Sequence, residues 1–154
     1  MSETTGQDEL TYRRIHDAPA ELLFDCMTKP EHLTWFWGPA GTTTPLEHIT
    51  VDLRPGGVFE TVMVSDADGS RYPMRAVYVE VRRPDKLVWA EPGVEGGMTT
   101  TITFTELGDG RTEVTTHQVN VPEAFRSAEA QQGFLTSLDR FDRYVASLTR
   151  EEER

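Results

Sequence analysis

The segment from Pro30 to Gly57 constrains the fold of this chain more than any other part of the sequence. Its first part, Trp35-Phe36-Trp37-Gly38-Pro39, has the form of an aromatic helix end that glycine and proline stop. A strand follows and closes at Asp52-Leu53-Arg54-Pro55-Gly56-Gly57, where glycine allows the positive φ of a turn. Few folds need both pieces in this order. The segment therefore predicts a short helix that leads directly into a sheet strand with a tight turn at its end.

The remaining sequence supplies the other elements of such a fold. Alternating or β-branched runs predict strands over residues 10–16, 47–53, 58–64, 74–83, 87–91, 99–106 and 112–121. Proline and acidic residues over 17–21 predict a helix start with an acidic cap, and Pro30 opens a second short helix that runs through Trp35. A last helix is predicted over 129–148, because apolar residues recur there at spacings of four, three, four and three: Phe134, Leu138, Phe141, Val145 and Leu148.

The order of these elements predicts an α+β helix-grip fold. It consists of a strand, two short helices, an antiparallel curved sheet of about six strands and a long C-terminal helix. We expect residues 1–8 to be disordered, residues 9–150 to form a single domain and residues 151–154 to be a charged tail.

Composition excludes several classes of partner. The formal net charge is -11 and the isoelectric point about 4.7, so the surface repels nucleic acid and anionic lipid. No apolar run approaches the roughly 20 residues that span a bilayer, so we expect no membrane insertion. The acidic start lacks the pattern of a secretory signal, and Cys26 is the single cysteine, which fits a reducing compartment. These features favour a cytoplasmic location.

Four motifs carry a resemblance to a known family. They are a first-helix pattern made of Asp17-Ala18-Pro19, Phe24-Asp25 and residues 28–33, the double-aromatic Phe36-Trp37-Gly38-Pro39, the turn at 52–57, and the pair Gly133-Phe134. Together they resemble the SRPBCC (START/Bet v 1-like) superfamily. Within it, the chain resembles the branch similar to the C-terminal domain of the activator of heat shock protein 90 ATPase. The resemblance covers nearly the whole chain but only one domain of that activator.

The resemblance implies a cavity between the concave sheet face and the C-terminal helix, and strand alternation assigns side chains to that face. Val77, with Val79 and Val81, points inward in this interpretation and brings Arg75 with it. The candidate lining is mostly apolar with a few polar groups, as in small-molecule pockets. It comprises Trp37, Phe59, Thr61, Met63, Arg75, Val77, Trp89, Glu91, Met98, Thr100, Thr116, Gln118, Phe134, Leu138 and Phe141.

Arg75 and Glu91 are the charged members of this predicted lining. Two interpretations remain open: they pair with each other, or Arg75 binds a ligand carboxylate while Glu91 accepts a proton from a ligand hydroxyl. Trp37 either anchors the core or lines the cavity mouth, which residues 38–41 would gate. Arg54 is expected to hold its turn by bonding nearby carbonyls.

No catalytic residue, metal ligand or cofactor is predicted. His16, His32, His48 and His117 show no pairing at i+3 or i+4, and Cys26 lies on the apolar side of the first helix. The sequence has no nucleophile elbow and no glycine-rich loop that opens a helix.

The function expected from the sequence is binding of a small hydrophobic or amphipathic molecule, such as a lipid, polyketide or aromatic metabolite. One alternative is a polyketide cyclase/dehydratase-like or hydrolase-like enzyme that uses the same cavity with Arg75 or Glu91, although the sequence favours a role without catalysis. A second alternative is a co-chaperone-like stress-response protein. We expect no cofactor, no nucleic acid partner, and a monomer or homodimer.

Overall fold

The backbone of this chain follows the predicted order of strand, short helices, sheet and long helix. A computed structural model describes residues 8–94 and 97–152. Except for Asp8, the predicted disordered start lies outside the described residues, as do Glu153 and Arg154 of the predicted tail. The division of the chain into one domain with two tails stays a prediction.

Eleven helices and strands are needed to describe the site. They are β1 (Leu10–His16), α1 (Ala20–Thr28), α2 (Pro30–Leu33), β2 (Thr42–Thr43), β3 (Thr50–Val51), β4 (Val58–Ser65), β5 (Arg71–Arg82), β6 (Lys86–Glu91), β7 (Met98–Glu106), β8 (Thr112–Val119) and α3 (Ala128–Glu152). The strands form one antiparallel 8-stranded sheet in the order β1-β8-β7-β6-β5-β4-β2, with β3 paired to β4. The α+β helix-grip prediction is confirmed.

The start of α1 differs from the predicted acidic cap. The helix begins at Ala20, with Pro19 as the residue before it and no capping side chain on that residue. Instead, the Ala20 N–H donates to a carboxylate oxygen of Glu106 at 3.2 Å, so the end of β7 supplies the acceptor. Glu106 thus adds, from the end of β7, to the negative charge that Glu21 supplies in the first turn of α1, where the positive end of the helix favours it.

The predicted strand over 47–53 is largely wrong. Pro45 has φ -61 and precedes a 3₁₀ turn over Leu46–His48, which the hydrogen bond from Ile49 N to Leu46 O closes at 3.1 Å. Only Thr50–Val51 pairs with β4. Because proline fixes its own φ and a turn follows at once, the alternation of Ile49 and Val51 does not extend into a ladder.

A bulge in β5 reverses the side chains that the alternation assigned to the inner face. The register passes from Tyr78 opposite Trp89 to Glu80 opposite Val88, which leaves Val79 as an extra residue. Val81 stays on the inner face, while Met74, Ala76 and Tyr78 take that face in the first half of the strand. The placement of Arg75 and Val77 on the inner face is therefore wrong: both lie on the outer face.

The long helix α3 packs across the inner face and is tied to β1 by charge. Arg14 contacts Asp139 at 3.0 Å and Asp142 at 2.5 Å. Burial lowers the pKa of His16, whose ring packs edge-on against Phe141 with 5.0 Å between centroids. These contacts position α3 along the edge of the sheet that β1 forms.

Candidate functional site

Aromatic side chains fill the centre of the inner face. Phe59 lies between Trp37 and Trp89, with 5.2 Å between ring centroids on either side, and stacks on Tyr78 at 5.7 Å. Phe59 is fully buried and Trp89 nearly so. Three predicted lining residues, Trp37, Phe59 and Trp89, are thus brought together, but they contact one another. Such a cluster is the packing expected of core aromatic residues.

The predicted residues of α3 also face the interior. Phe134 contacts Tyr12 of β1, with centroids 4.7 Å apart, and Phe141 contacts Phe36 at the same distance. Leu138, which stands between Phe134 and Phe141 in the sequence, is also buried. The helix therefore presents its apolar side to the sheet, as its spacing predicted, and aromatic contacts occupy the space under it.

The predicted polar residues of β7 and β8 lie together at one end of the inner face. Thr100 is opposite Gln118 in the ladder, and the Gln118 amide is 3.5 Å from the Thr100 hydroxyl. Met98 and Thr116 are buried on the same face. Met98 stands opposite Glu91, which ends β6. Glu91, the charged member of the predicted lining that faces inward, therefore lies at this end of the sheet.

A cleft of about 590 Å³ opens where β5 and β6 part. The two strands pair only from Val77 opposite Ala90 onward, whereas β5 continues to pair with β4 as far as Arg71. The first half of β5 and the turn after β6 therefore separate. The residues around the cleft are Glu47, His48, Thr50, Glu60, Thr61, Val62, Pro73, Met74, Arg75, Glu91, Gly93 and Val94. None of these described residues belongs to α3, so the cleft lies beside the space predicted between sheet and helix.

Glu91 is the chemically unusual residue of the cleft. Burial raises its pKa from the ordinary 4.5 to about 7. Its carboxyl has no hydrogen bond or ion pair with any described residue. Thr61 also lines the cleft, and its buried hydroxyl has no hydrogen-bond partner among the described residues. A half-buried carboxyl without a partner is costly to a folded chain when it is ionised, which makes Glu91 a candidate for ligand contact.

Arg75 reaches the same cleft from the outer face, where it contacts another residue. Its guanidinium is 3.6 Å from the Glu60 carboxylate, and the Arg75 side chain is 69% exposed. Of the two interpretations left open, pairing of Arg75 with Glu91 is not what the structure shows. Exposed pairs such as Arg75 with Glu60 contribute little to stability, so Arg75 remains available at the cleft rim.

The cleft includes residues that the alternation did not identify, above all Glu47 and His48 of the 3₁₀ turn and Val94 of the turn after β6. One signal in the sequence could have found it. The strand predicted over 74–83 is twice as long as the strand predicted over 87–91, and the structure keeps that ratio with 12 residues in β5 against 6 in β6. Since paired strands match in length, the excess in β5 predicts an unpaired stretch beside β6.

The segment after Trp37 is tied to α3. Arg140 donates from Nη1 to the carbonyl oxygens of Gly38, at 2.8 Å, and Pro39, at 2.9 Å. The Ala40 N–H donates to the Thr136 hydroxyl at 3.0 Å. Gly38 has φ +98, and a side chain there would approach the Met63 sulfur to 2.8 Å. Met63, the remaining predicted lining residue, thus packs under this segment. The gating role of residues 38–41 stays a prediction.

No group of three or more histidine, cysteine, aspartate or glutamate side chains among the described residues is arranged to hold a metal ion. Within residues 8–94 and 97–152, no helix combines the length and apolarity needed to cross a bilayer.

Comparison with known proteins identifies the family. A search of curated protein sequences gave no significant match. Among solved structures, a protein from Rhodobacter sphaeroides aligns with TM-score 0.81 and 19% identity over 96% of this chain and 99% of that one. A Nitrosomonas europaea protein gives 0.78 and 25% identity over 95% and 99%. A Plasmodium falciparum protein described as an HSP90 activator gives 0.57 and 20% over 81% and 83%.

These likenesses support the fold, and the sequence profile supplies the family. Residues 17–146 match the profile described as Activator of Hsp90 ATPase homolog 1-like protein, abbreviated AHSA1. That match spans α1, α2 and most of α3. The chain therefore belongs to the AHSA1 family.

Proposed function

We propose that this protein binds a small amphipathic molecule in the cleft between β5 and β6. The observation that carries the proposal is the Glu91 carboxyl, which is half-buried beside a cleft of about 590 Å³ and has no partner among the described residues. Ligand pockets of this size commonly combine an apolar lining with a few polar groups. Met74, Val62 and Val94 supply apolar surface here.

The chemistry of the cleft defines the ligand class. Glu91, with a pKa of about 7, is suited to accept a hydrogen bond from a ligand hydroxyl or amine. Arg75 at the rim is suited to a second, acidic group. A ligand of this class has an apolar body, one donor directed at Glu91, and in some cases a carboxylate at the mouth. Hydroxylated lipids and aromatic polyketide-like compounds meet this description.

A thermal-shift screen against fatty acids, sterols, flavonoids and polyketide-like compounds tests the proposal. A ligand at one hundred times its dissociation constant should add about 2.7 kcal/mol of stability. Glu91→Gln, which cannot accept charge-assisted hydrogen bonds, should weaken the binding of any hit by about tenfold. Glu113→Gln is the matched control, because Glu113 lies on β8 away from the cleft residues. A hit with equal affinity for both variants would remove Glu91 as the anchor, and a screen without any saturable shift would contradict the proposal.

A second candidate function, proton transfer on the bound molecule, has one observation in its favour. A group with a pKa of about 7 exchanges protons readily near neutral pH, which general acid–base catalysis requires. Compounds that bind should be incubated with the protein and followed by mass spectrometry. If turnover occurs, Glu91→Gln should reduce it by at least about a hundredfold. Turnover that survives this substitution would exclude Glu91 as the proton carrier.

A further inference from the structure

Two arginines on α3, Arg140 and Arg143, lie within one helical turn of each other. Arg140 uses its Nη1 to bind the carbonyl oxygens of Gly38 and Pro39, which are neutral acceptors. Arg143 is exposed and has no hydrogen bond or ion pair with any described residue. The pKa of Arg140 is lowered because partial burial disfavours its charge and Arg143 repels it, although Asp66 attracts it. This positive charge is notable in a chain whose formal net charge is -11.

An exposed tryptophan borders the same two arginines. Trp35, Arg140, Arg143, Tyr144 and Ser147 line a groove of about 390 Å³ between the end of α2 and the second half of α3. Trp35 is 68% exposed, and its ring contacts no other aromatic ring among the described residues. Its neighbours in sequence are more buried: Phe36 is 3% exposed and Trp37 packs on Phe59. Trp35 therefore offers a flat apolar surface to the groove instead of to the core.

We propose that this groove binds a small organic anion that carries a flat apolar group. A guanidinium presents paired N–H donors that match the geometry of a carboxylate, and Arg143 has all of its donors free of described partners. The indole of Trp35 suits stacking of an aromatic or alicyclic ring. The volume lies in the range of small-molecule sites. The site shares no lining residue with the Glu91 cleft, so neither proposal depends on the other.

Titration with 2-naphthoate, followed by NMR of the indole N–H groups, tests the site. The chain has three tryptophans, so three indole signals report on three places. Trp35 is exposed at the groove, whereas Trp89 is buried in the aromatic centre. We expect the Trp35 signal to shift in a saturable way while the Trp89 signal stays in place. A shift confined to Trp37 and Trp89, or no shift, would overturn the proposal.

A neutral analogue and two variants measure separately what charge and what ring stacking contribute to binding. The neutral analogue 2-naphthylmethanol should bind at least about tenfold more weakly than 2-naphthoate, because it lacks the charge that the arginines recognise. Arg143→Gln and Trp35→Ala should each weaken 2-naphthoate binding by about tenfold in calorimetry. Arg111→Gln serves as the control, since Arg111 is an exposed arginine already paired with Asp109 at 2.9 Å. Equal binding of acid and alcohol, or equal losses for Arg143→Gln and Arg111→Gln, would refute an anion site.

Discussion

At Gly57 the backbone leaves no room for a side chain. A Cβ there would overlap the carbonyl oxygen of Asp52. The surrounding chain is held on both sides, because Gly57 N donates to Arg54 O at 2.8 Å and Tyr78 N donates to Gly57 O at 2.9 Å. The backbone cannot move aside without breaking these hydrogen bonds, which costs stability. The second glycine of the turn motif is thus required by close approach.

We expect Gly57→Ala to lower the free energy of unfolding by at least about 2 kcal/mol, because the clash is with backbone. Gly93→Ala is the control: a Cβ at Gly93 would meet no atom within 4 Å, so a change within about 0.5 kcal/mol is expected. Urea unfolding of the two variants gives both numbers. Equal losses would mean that the turn relaxes and that the close approach does not matter.

The same turn shows where residue-level inference from sequence stops. Arg54 was expected to bond carbonyl groups, but it binds the Asp52 side chain, with Nε–Oδ1 at 3.1 Å and Nη2–Oδ2 at 2.9 Å. An arginine side chain is long and flexible, and its donors bond carbonyl and carboxylate oxygens alike. The choice between them depends on side-chain rotamers, which a motif does not encode. The motif predicted the turn correctly and its internal bonding wrongly.

At the scale of elements, α3 holds the segment after Trp37 through Arg140. Arg140→Met keeps much of the apolar stem but removes both bonds to Gly38 and Pro39. We expect a loss of about 1–2 kcal/mol in unfolding free energy and faster hydrogen exchange at Ala40. Arg143→Met, on the same helix but without such bonds, should change stability by less than about 0.5 kcal/mol. If both substitutions lower stability equally, the positive charge on α3 matters and the hydrogen bonds of Arg140 to Gly38 and Pro39 do not.

The elements were predicted in order, and the exceptions have local causes. The strand over Leu10–His16 was predicted with its observed bounds. The alternation of Val77, Val79 and Val81 was misleading, because the bulge at Tyr78/Glu80 changes which residues face inward. A bulge adds one residue without a distinctive side chain, so the apolar pattern remains plausible in either register. Only the pairing of β5 with β6 reveals it.

At the scale of the whole molecule, Glu91 links stability to pH. Well below pH 4.5 its carboxyl is protonated in both the folded and the unfolded chain. Between about 4.5 and 7 the unfolded chain releases a proton that the folded chain retains, so stability falls as pH rises. Above about 7 this penalty is complete and constant. The folded state is thus weakened by this group at neutral pH.

Glu91→Gln should remove that dependence. We expect the variant to exceed the wild-type chain by roughly 1–3 kcal/mol above pH 7 and to match it well below pH 4.5, allowing for partial solvent screening. Urea unfolding of both proteins at several pH values measures the difference in their free energies of unfolding. The effects of the other carboxyl groups cancel in this difference, because both proteins carry them. Glu113→Gln should show no comparable gain. A Glu91→Gln variant that is less stable at pH 8 would indicate that the carboxylate is bonded in the folded chain.

The overall architecture was predictable, and the position of the cleft was not. The helix stop at Gly38-Pro39, the turn at 52–57 and the period of α3 together specify the helix-grip fold. The space under α3 depends on how Trp37, Phe59 and Trp89 pack, because side-chain volumes decide whether a cavity remains. Sequence patterns assign faces but not volumes. The candidate residues Thr61, Arg75 and Glu91 do meet at one cleft, although Arg75 arrives from the other side of the sheet.

The extra residue in β5 also has a genetic consequence. Loss of the single codon for Val79 would remove the bulge and leave both faces of β5 as they are, because Tyr78 and Val81 would then alternate regularly. Loss of the codon for Ala76, with Tyr78 held opposite Trp89, would instead turn Met74 outward and Arg75 inward. Substitutions along the exposed side of β5 change one side chain each. A one-residue deletion or insertion between the cleft and the bulge exchanges the two faces of the strand. In this strand, length is under tighter constraint than sequence.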